Sequence, residues 1–161
     1  MKLSVRSNPL VIGIGNPYRG DDGVGLAVVR HLKERTPGDL RILEASGECT
    51  SLIESWKDAA AVILVDAIQS GQTPGTISRF NAIEQQLPAE ISRHSTHTLG
   101  IIEAVELARI IKGLPPSLMF YGIEGKNFRF GFGLSPEVEA SVKKAVDLII
   151  GDIPSEILRR P

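Results

Sequence analysis

Five short apolar runs alternate with segments of helical period along the 161 residues of this chain. Parallel strands need long crossover connections, which helices usually provide, so this order is typical of an α/β protein. The third run, from Ala59 to Asp66, is apolar until its last residue, as in a central strand that is covered on both faces. We therefore predict a single domain over residues 1–161. It is a three-layer α/β sandwich, in which helices flank a twisted, mostly parallel sheet of about five strands.

Turn and capping signals separate these runs. Thr76 to Phe80 follows a Pro-Gly turn and alternates in polarity, so we predict an edge strand there and leave an antiparallel orientation open. Ser135 and Pro136 are the residue types that favour the start of the last helix. The predicted strands are 9–15, 40–44, 59–66, 76–80 and 117–123, and the predicted helices are 23–34, 50–57, 99–112 and one from 136 onward. The predicted buried helix faces carry Val24, Val28, Leu32, Ile101, Val105, Ala108, Val138, Val142, Ala145 and Ile149.

Charge and hydropathy limit the partners of the chain. The net charge of −1 and the pI near 6.3 provide no basic footprint for a phosphate backbone, so no nucleic-acid partner is expected. No apolar run approaches the roughly 18 residues of a membrane span, and no signal peptide is recognisable near Met1. We expect a cytoplasmic protein with no membrane partner.

Cys49 is the single cysteine, so an intrachain disulfide and a cysteine-rich zinc site are both excluded. We expect it to be a small, unreactive, buried residue, which fits a reducing compartment. Histidines and carboxylates remain as candidate metal ligands.

A glycine-rich loop follows the first strand and carries two adjacent carboxylates, Asp21 and Asp22. It reads Gly13-Ile-Gly-Asn-Pro-Tyr-Arg-Gly-Asp-Asp-Gly-Val-Gly25. Gly13, Gly15 and Gly23 permit sharp turns or close backbone approach, and Asn16 begins a turn. A dinucleotide fingerprint would need glycine where Tyr18 stands, and no P-loop motif is present. The loop is suited to presenting the acids, although a helix N-cap is an alternative role for Asp22.

Two further polar residues are predicted at the same edge of the sheet. Asp66 ends the apolar third strand, and His97 immediately precedes a predicted helix, whose N-terminus favours a neutral imidazole. Ligand sites in open α/β sheets lie at the carboxyl ends of the strands. Asp22, Asp66 and His97 together would form an oxygen and nitrogen site for a divalent metal ion. Loop capping by Asp66 and a surface position for His97 are the alternatives.

Common hydrolase signatures are absent, since neither H-E-x-x-H nor G-x-S-x-G occurs. The order of three motifs nevertheless resembles the hydrogenase maturation protease family. These motifs are the loop from Gly13 to Gly25, the segment Ile63-Leu-Val-Asp-Ala-Ile68 and the segment His97-Thr-Leu-Gly100. The similarity continues through Gly122-Ile123 and residues 133–139.

This resemblance implies an endopeptidase that removes the C-terminal extension of the nickel-loaded large-subunit precursor of a nickel-iron hydrogenase. It assigns the family's metal-binding and catalytic trio to Asp22, Asp66 and His97. It further implies that the nickel is supplied by the precursor and that no organic cofactor is needed. Surface roles are expected for Asp21, which could also orient its neighbour or cap the helix, and for His94.

One departure concerns the stretch after the second strand, where many family members carry Asp-Gly-Gly-Thr and this chain carries Glu44-Ala-Ser-Gly47. We expect it to change which precursor is selected. Two other functions stay open: a nickel-binding accessory protein that does not hydrolyse peptides, and a peptidyl-tRNA hydrolase-like esterase. The esterase is disfavoured because its Arg-His-Asn group is missing and the chain carries no basic surplus.

Overall fold

The computed structural model describes residues 9–38, 40–92 and 96–154, with the side chains of 92 and 96–98 left out of the description. The strands are β1 Leu10–Ile14, β2 Arg41–Ala45, β3 Ala61–Ile68, β4 Ile77–Asn81 and β5 Ser117–Glu124. The helices are α1 Val24–Arg35, α2 Cys49–Ser55, α3 Thr96–Ile110 and α4 Pro136–Asp152. Short 3-10 turns span Gly20–Gly23 and Ala89–Ser92.

The five strands form one sheet in the order β2-β1-β3-β5-β4. β1 pairs in parallel with β2 and β3, β3 pairs in parallel with β5, and β4 pairs antiparallel with β5 at the edge. The predicted mostly parallel α/β sheet is therefore confirmed, and the edge strand, whose orientation was left open, is antiparallel. The carboxyl ends of the four parallel strands share one edge of the sheet, which is the edge that the predicted site requires.

Apolar side chains divide between the two faces of the sheet according to the alternation of each strand. In β3, Leu64 and Ile68 pack toward α2 and α3, whereas Ile63, Val65 and Ala67 pack toward α1 and α4. Each face buries its own apolar cluster, so the three predicted layers are confirmed. All ten residues predicted for the buried helix faces are less than 5% exposed. No helix within the described ranges is long and apolar enough to cross a membrane.

Two predicted element boundaries near the site were wrong, and one predicted cap lacks its hydrogen bond. β3 does not end at Asp66, because Ala67 and Ile68 continue the parallel pairing with β5. α3 begins at Thr96, so His97 lies inside its first turn and does not precede the helix. Ser135 occupies the N-cap position of α4 as predicted, but its side chain makes no capping hydrogen bond and binds a carboxylate elsewhere.

The start of α1 lies directly on the backbone of β1 and β3, and Gly25 allows this contact. A Cβ atom at Gly25 would lie 2.3 Å from the Ile14 carbonyl oxygen and 2.5 Å from that of Val65. Real Cβ atoms do not approach backbone oxygens so closely, so any side chain would push the helix away from the sheet.

We therefore predict opposite effects of alanine at two helical glycines. Gly25→Ala should lower the free energy of unfolding by about 1–3 kcal/mol through overpacking. The matched control is Gly151→Ala in α4, where a Cβ would meet no atom within 4 Å. That variant should be neutral or up to about 1 kcal/mol more stable, because alanine has the higher helix propensity. Urea denaturation followed by circular dichroism measures both values, and equal effects would contradict the close contact.

Candidate functional site

A cleft of about 400 Å³ opens at the carboxyl ends of β1 and β2. Its walls come from the loop between β1 and α1 and from the loop between β2 and α2. The lining residues are Gly15, Asn16, Pro17, Arg19, Asp22, Ser46, Gly47 and Glu48. Polar groups from two separate loops therefore meet at the edge of the sheet where α/β proteins place their ligands.

The loop after β1 folds back on itself so closely that glycine is required. Gly15 has a φ of 154°, and a Cβ atom there would lie 2.0 Å from the Asp22 carbonyl oxygen. The Asn16 N–H donates to the same Asp22 oxygen at 3.3 Å, and the Asn16 side-chain oxygen accepts from the Tyr18 N–H at 2.9 Å. Gly23 lies close to Pro17. These contacts fix the backbone of Asp22 against the end of β1.

Asp22 lines the cleft but is only 4% exposed. It belongs to the 3-10 turn Gly20–Gly23, and the N-cap position of α1 falls on Gly23. The alternative in which Asp22 is the N-cap of the helix is therefore wrong. Asp22 is therefore a nearly buried residue that lines the cleft.

Asp66 lies inside β3 and is completely buried. By the alternation of the strand, it shares the face of Leu64 and Ile68, which is the face covered by α3. Its Oδ1 accepts a hydrogen bond from the Ala67 N–H at 2.8 Å, which fixes the orientation of the carboxylate. The 3-10 turn that carries Asp22 contacts β3 directly. Asp66 itself does not appear in the wall of the cleft.

The N-terminal part of α3 approaches the same cleft. A Cβ atom at Gly100 would lie 2.2 Å from the carbonyl oxygen of Gly47, which lines the cleft. His97 precedes Gly100 by three residues, so the two positions fall on the same face of α3. The side chain of His97 and all of His94 lie outside the described residues. The role of His97 therefore remains a prediction.

No group of three histidine, cysteine, aspartate or glutamate side chains in the described part of the chain is arranged to hold a metal ion. The predicted trio includes His97, whose side chain is not part of that set. The assignment of Asp22, Asp66 and His97 as metal ligands stays a prediction.

Asp21 has a structural role that differs from the predicted surface role. Its side chain is completely buried. The N–H groups of Lys126 and Asn127 donate to Oδ2 at 2.8 Å, the Ser135 N–H donates to Oδ1 at 2.7 Å, and the Ser135 hydroxyl donates to Oδ2 at 2.8 Å. Burial by itself raises the pKa of Asp21, but these hydrogen bonds outweigh it and hold the pKa below its ordinary value of 3.8. Asp21 thus joins the glycine-rich loop to the segment before α4.

The cleft also contains a carboxylate that the sequence did not single out. Glu48 caps α2, since its side chain accepts hydrogen bonds from Ser51 and Thr50. The pKa of Glu48 is lowered to about 2, mainly by the hydrogen bonds from the hydroxyl groups of Ser51 and Thr50 and to a smaller extent by those from their N–H groups. This residue is therefore ionised at neutral pH. Applying the strand-end rule to β2 as well as to β1 and β3 would have placed residues 46–48 at the site.

The loop after β2 has a backbone that suits this chain's own sequence. Gly47 has a φ of 88°, in the left-handed region where a β-branched residue is strained. The threonine that many family members carry at the corresponding position would not adopt this conformation easily. Glu44 turns to Arg30, with which it forms two hydrogen bonds of 2.8 and 2.9 Å. The conformation of Gly47 and the pairing of Glu44 are therefore features of this chain's own loop beside the cleft.

Cys49 is half-buried at the start of α2 and makes no disulfide. Burial, followed by the negative charges of Glu103 and Glu48, raises the pKa of its thiol. A neutral thiol is a weak nucleophile, which agrees with the predicted unreactive role.

Comparisons with known proteins agree with the fold. The hydrogenase maturation protease family matches residues 26–152. The chain is 27% identical to the hydrogenase 2 maturation protease of Escherichia coli over 145 residues, which is 88% of this chain and 87% of that protein. The structure is similar to the hydrogenase maturating endopeptidase HybD of Escherichia coli, with a TM-score of 0.80 and 26% identity, over 90% of this chain and 91% of that one.

A third similarity is to the maturation protease HybD of Thermococcus kodakarensis, with a TM-score of 0.72 and 27% identity, over 91% of this chain and 99% of that one. The fold and these relatives define a peptidase, a hydrolase of peptide bonds. The chain belongs to the hydrogenase maturation protease family, because the family match covers most of its length.

The hydrogen bonds of Asp21 lead to a stability prediction. Asp21→Asn replaces an acceptor oxygen by an NH₂ group and leaves buried N–H groups without partners, so the free energy of unfolding should fall by about 3 kcal/mol. The control is Glu137→Gln, which breaks an exposed ion pair with Lys126 on the same segment and should cost less than about 1 kcal/mol. Urea denaturation at pH 7 distinguishes the two, and similar small losses would contradict the role of Asp21.

The pH dependence of stability gives a second test of this network. Because the pKa of Asp21 is lower in the folded protein, its contribution is complete above the ordinary value of 3.8 and is lost as pH falls through the lower folded-state value. The difference in stability between wild type and Asp21→Asn should therefore narrow as the pH is lowered below 3.8. A difference that stays constant from pH 6 down to about pH 2 would show that the charge of Asp21 is unimportant.

Proposed function

We propose that this protein removes the C-terminal extension of a nickel-loaded large-subunit precursor of a nickel-iron hydrogenase. In this proposal Asp22, Asp66 and His97 contact the nickel that the precursor supplies. The observation that carries it is the placement of two buried aspartates at the same edge of the sheet. Asp22 is 4% exposed and lines the cleft, and Asp66 is completely buried in β3, the strand next to β1. The family membership supplies the substrate class, and a cytoplasmic location fits the single cysteine.

The position of α3 supports the inclusion of His97. Asp66 lies on the sheet face that α3 covers, and Gly100 fixes the beginning of α3 against the cleft-lining Gly47. Both observations bring the first turn of α3 to the same edge as the aspartates. Carboxylate oxygens and an imidazole nitrogen are suitable ligands for nickel, and three such groups leave coordination positions for the precursor's own ligands.

The rest of the proposed mechanism follows from positioning. Contact between the three side chains and the bound nickel would place the adjacent peptide bond in the cleft, so a precursor without nickel would be held incorrectly. When bound, the nickel would supply Lewis-acid stabilisation of the carbonyl oxygen, and one of the aspartates would take the proton of the attacking water. Both aspartates are held in place before substrate arrives, Asp22 by the contacts of its loop and Asp66 by the strand and the Ala67 N–H.

Substitution of the trio tests this function. Asp22→Ala, Asp66→Ala and His97→Ala should each slow nickel-dependent shortening of the precursor by at least about 100-fold, because each removes a metal contact. The measurement is the change in gel mobility of a purified precursor, with and without nickel. Asp66→Asn serves if the alanine variant does not fold. The controls are His31→Ala and Glu139→Ala, which change exposed residues of α1 and α4 and should retain full activity.

Two outcomes would contradict the proposal in different ways. Retained cleavage in all three folded variants would show that the assignment of these site residues is wrong, although the proposed proteolytic activity is correct. If the wild-type protein shortens no cognate precursor and binds nickel with sub-micromolar affinity, the protein is a nickel-binding accessory protein.

The loop after β2 provides a test of substrate selection. Replacing residues 44–46 by Asp-Gly-Gly while keeping Gly47 changes the wall of the cleft and should change the ratio of kcat/KM for two different precursors by about tenfold. The control is Arg30→Gln, which breaks the exposed pair with Glu44 and leaves the lining residues unchanged. An unchanged ratio in the loop variant would show that this loop does not select the precursor.

A further inference from the structure

Three aromatic side chains are exposed next to the cleft. Phe130, Phe132 and Tyr18 are 88%, 80% and 52% exposed. The rings of Tyr18 and Phe132 contact each other edge to face, with centroids 5.0 Å apart. The chain has five phenylalanines, two tyrosines and one tryptophan, and the other five aromatic residues are buried or half-buried. Exposure of large apolar side chains in one place is typical of a binding surface.

The aromatic residues are joined to the glycine-rich loop by backbone hydrogen bonds. The Gly20 N–H donates to the Gly131 carbonyl at 2.8 Å, and the Gly131 N–H donates to the Tyr18 carbonyl at 2.7 Å. Gly131 stands between Phe130 and Phe132. The Asp21 carboxylate holds the same segment through Lys126 and Asn127. The backbone that carries the aromatic side chains is therefore held against the loop that contains Asp22.

This surface is continuous with the cleft. Pro17 and Arg19 both line the cleft, and Tyr18 lies between them in the sequence. Arg129 is exposed on the other side of Phe130. Aromatic residues and arginines are the types that protein interfaces favour, and they account for many of the residues that dominate binding energy.

We propose that Tyr18, Phe130 and Phe132 form a docking surface for the hydrogenase large-subunit precursor. They bind an apolar segment of that protein next to the peptide bond that is cleaved. This proposal rests on the function proposed above. Each aromatic side chain buries roughly 150–250 Å², so the three together provide less than the roughly 800 Å² per partner of a stable dimer. They are sufficient as an anchor for a substrate that also occupies the cleft.

The test removes the two phenylalanine rings and separates binding from chemistry. Phe130→Ser/Phe132→Ser should raise KM for a nickel-loaded precursor by about 10- to 100-fold and leave kcat nearly unchanged, because these rings do not contact the reacting atoms. The matched control is Ile110→Ser/Ile111→Ser, which removes residues that are 78% and 58% exposed at the far end of α3. That end lies about 15 Å along the helix from Gly100, and KM should not change.

A binding measurement gives an independent value. In an Asp22→Asn background, which prevents turnover, the phenylalanine double variant should raise the Kd for the precursor by the same factor as it raises KM. Tyr18→Phe should retain wild-type KM, whereas Tyr18→Ser should raise it. A midpoint of thermal unfolding equal to that of the wild-type protein would show that each variant is folded.

The outcomes distinguish the two proposals. If wild type cleaves the precursor and the double variant has the same KM and Kd, the docking surface is wrong and the proposed function stands. If wild type neither binds nor cleaves any cognate precursor, both are wrong. If wild type is a dimer that the double variant dissociates without a change in KM, the surface belongs to a second copy of this chain and the docking proposal is overturned.

Discussion

The hydrogen bonding of the buried Asp21 carboxylate is the interaction on which the glycine-rich loop beside the cleft depends. It accepts hydrogen bonds from three backbone N–H groups and one hydroxyl, all from the segment between β5 and α4. The residue next to it is Asp22, which lines the cleft. A buried carboxylate is stable only when it is fully hydrogen-bonded, so the position of this loop and that of the distant segment are determined together. The two adjacent acids therefore differ in their surroundings: Asp21 is hydrogen-bonded to the distant segment, and Asp22 lines the cleft.

Close backbone contacts complete the arrangement. Gly25 lets α1 begin against β1 and β3, Gly15 lets its loop touch the Asp22 carbonyl, and Gly100 lets α3 touch the loop after β2. In each case a carbonyl oxygen occupies the space that a Cβ would need. The loop after β1, the loop after β2 and the start of α3 are thereby held together at one edge of the sheet. Such rigid positioning is what a site that aligns a peptide bond requires.

The sequence was sufficient to predict the architecture, because apolar runs and helical periodicity are strong signals that depend only on residues close together in the sequence. It was insufficient where the deciding partner is remote. Nothing near Asp21 indicates that Ser135 and Lys126 surround it, so its burial was missed. Asp66 was placed at the end of its strand because polarity changes there, whereas pairing with β5 continues past it. Glu48 was overlooked because an exposed glutamate has no distinctive local pattern. The expected trio of Asp22, Asp66 and His97 came from resemblance and from strand-end reasoning, and its geometry around a metal depends on a side chain outside the described residues.

The depth of Asp66 has a consequence for what can be a substrate. A carboxylate with no exposed surface inside a hydrogen-bonded strand cannot move outward to meet a partner. Under the proposed function, the partner must instead extend a narrow length of chain inward. A hydrogenase whose C-terminal region is already folded against its own core would have no such length to offer. The protease would then select its substrate by conformation as well as by its metal. A large subunit whose C-terminal region is already folded would not be cleaved, because that region is no longer accessible.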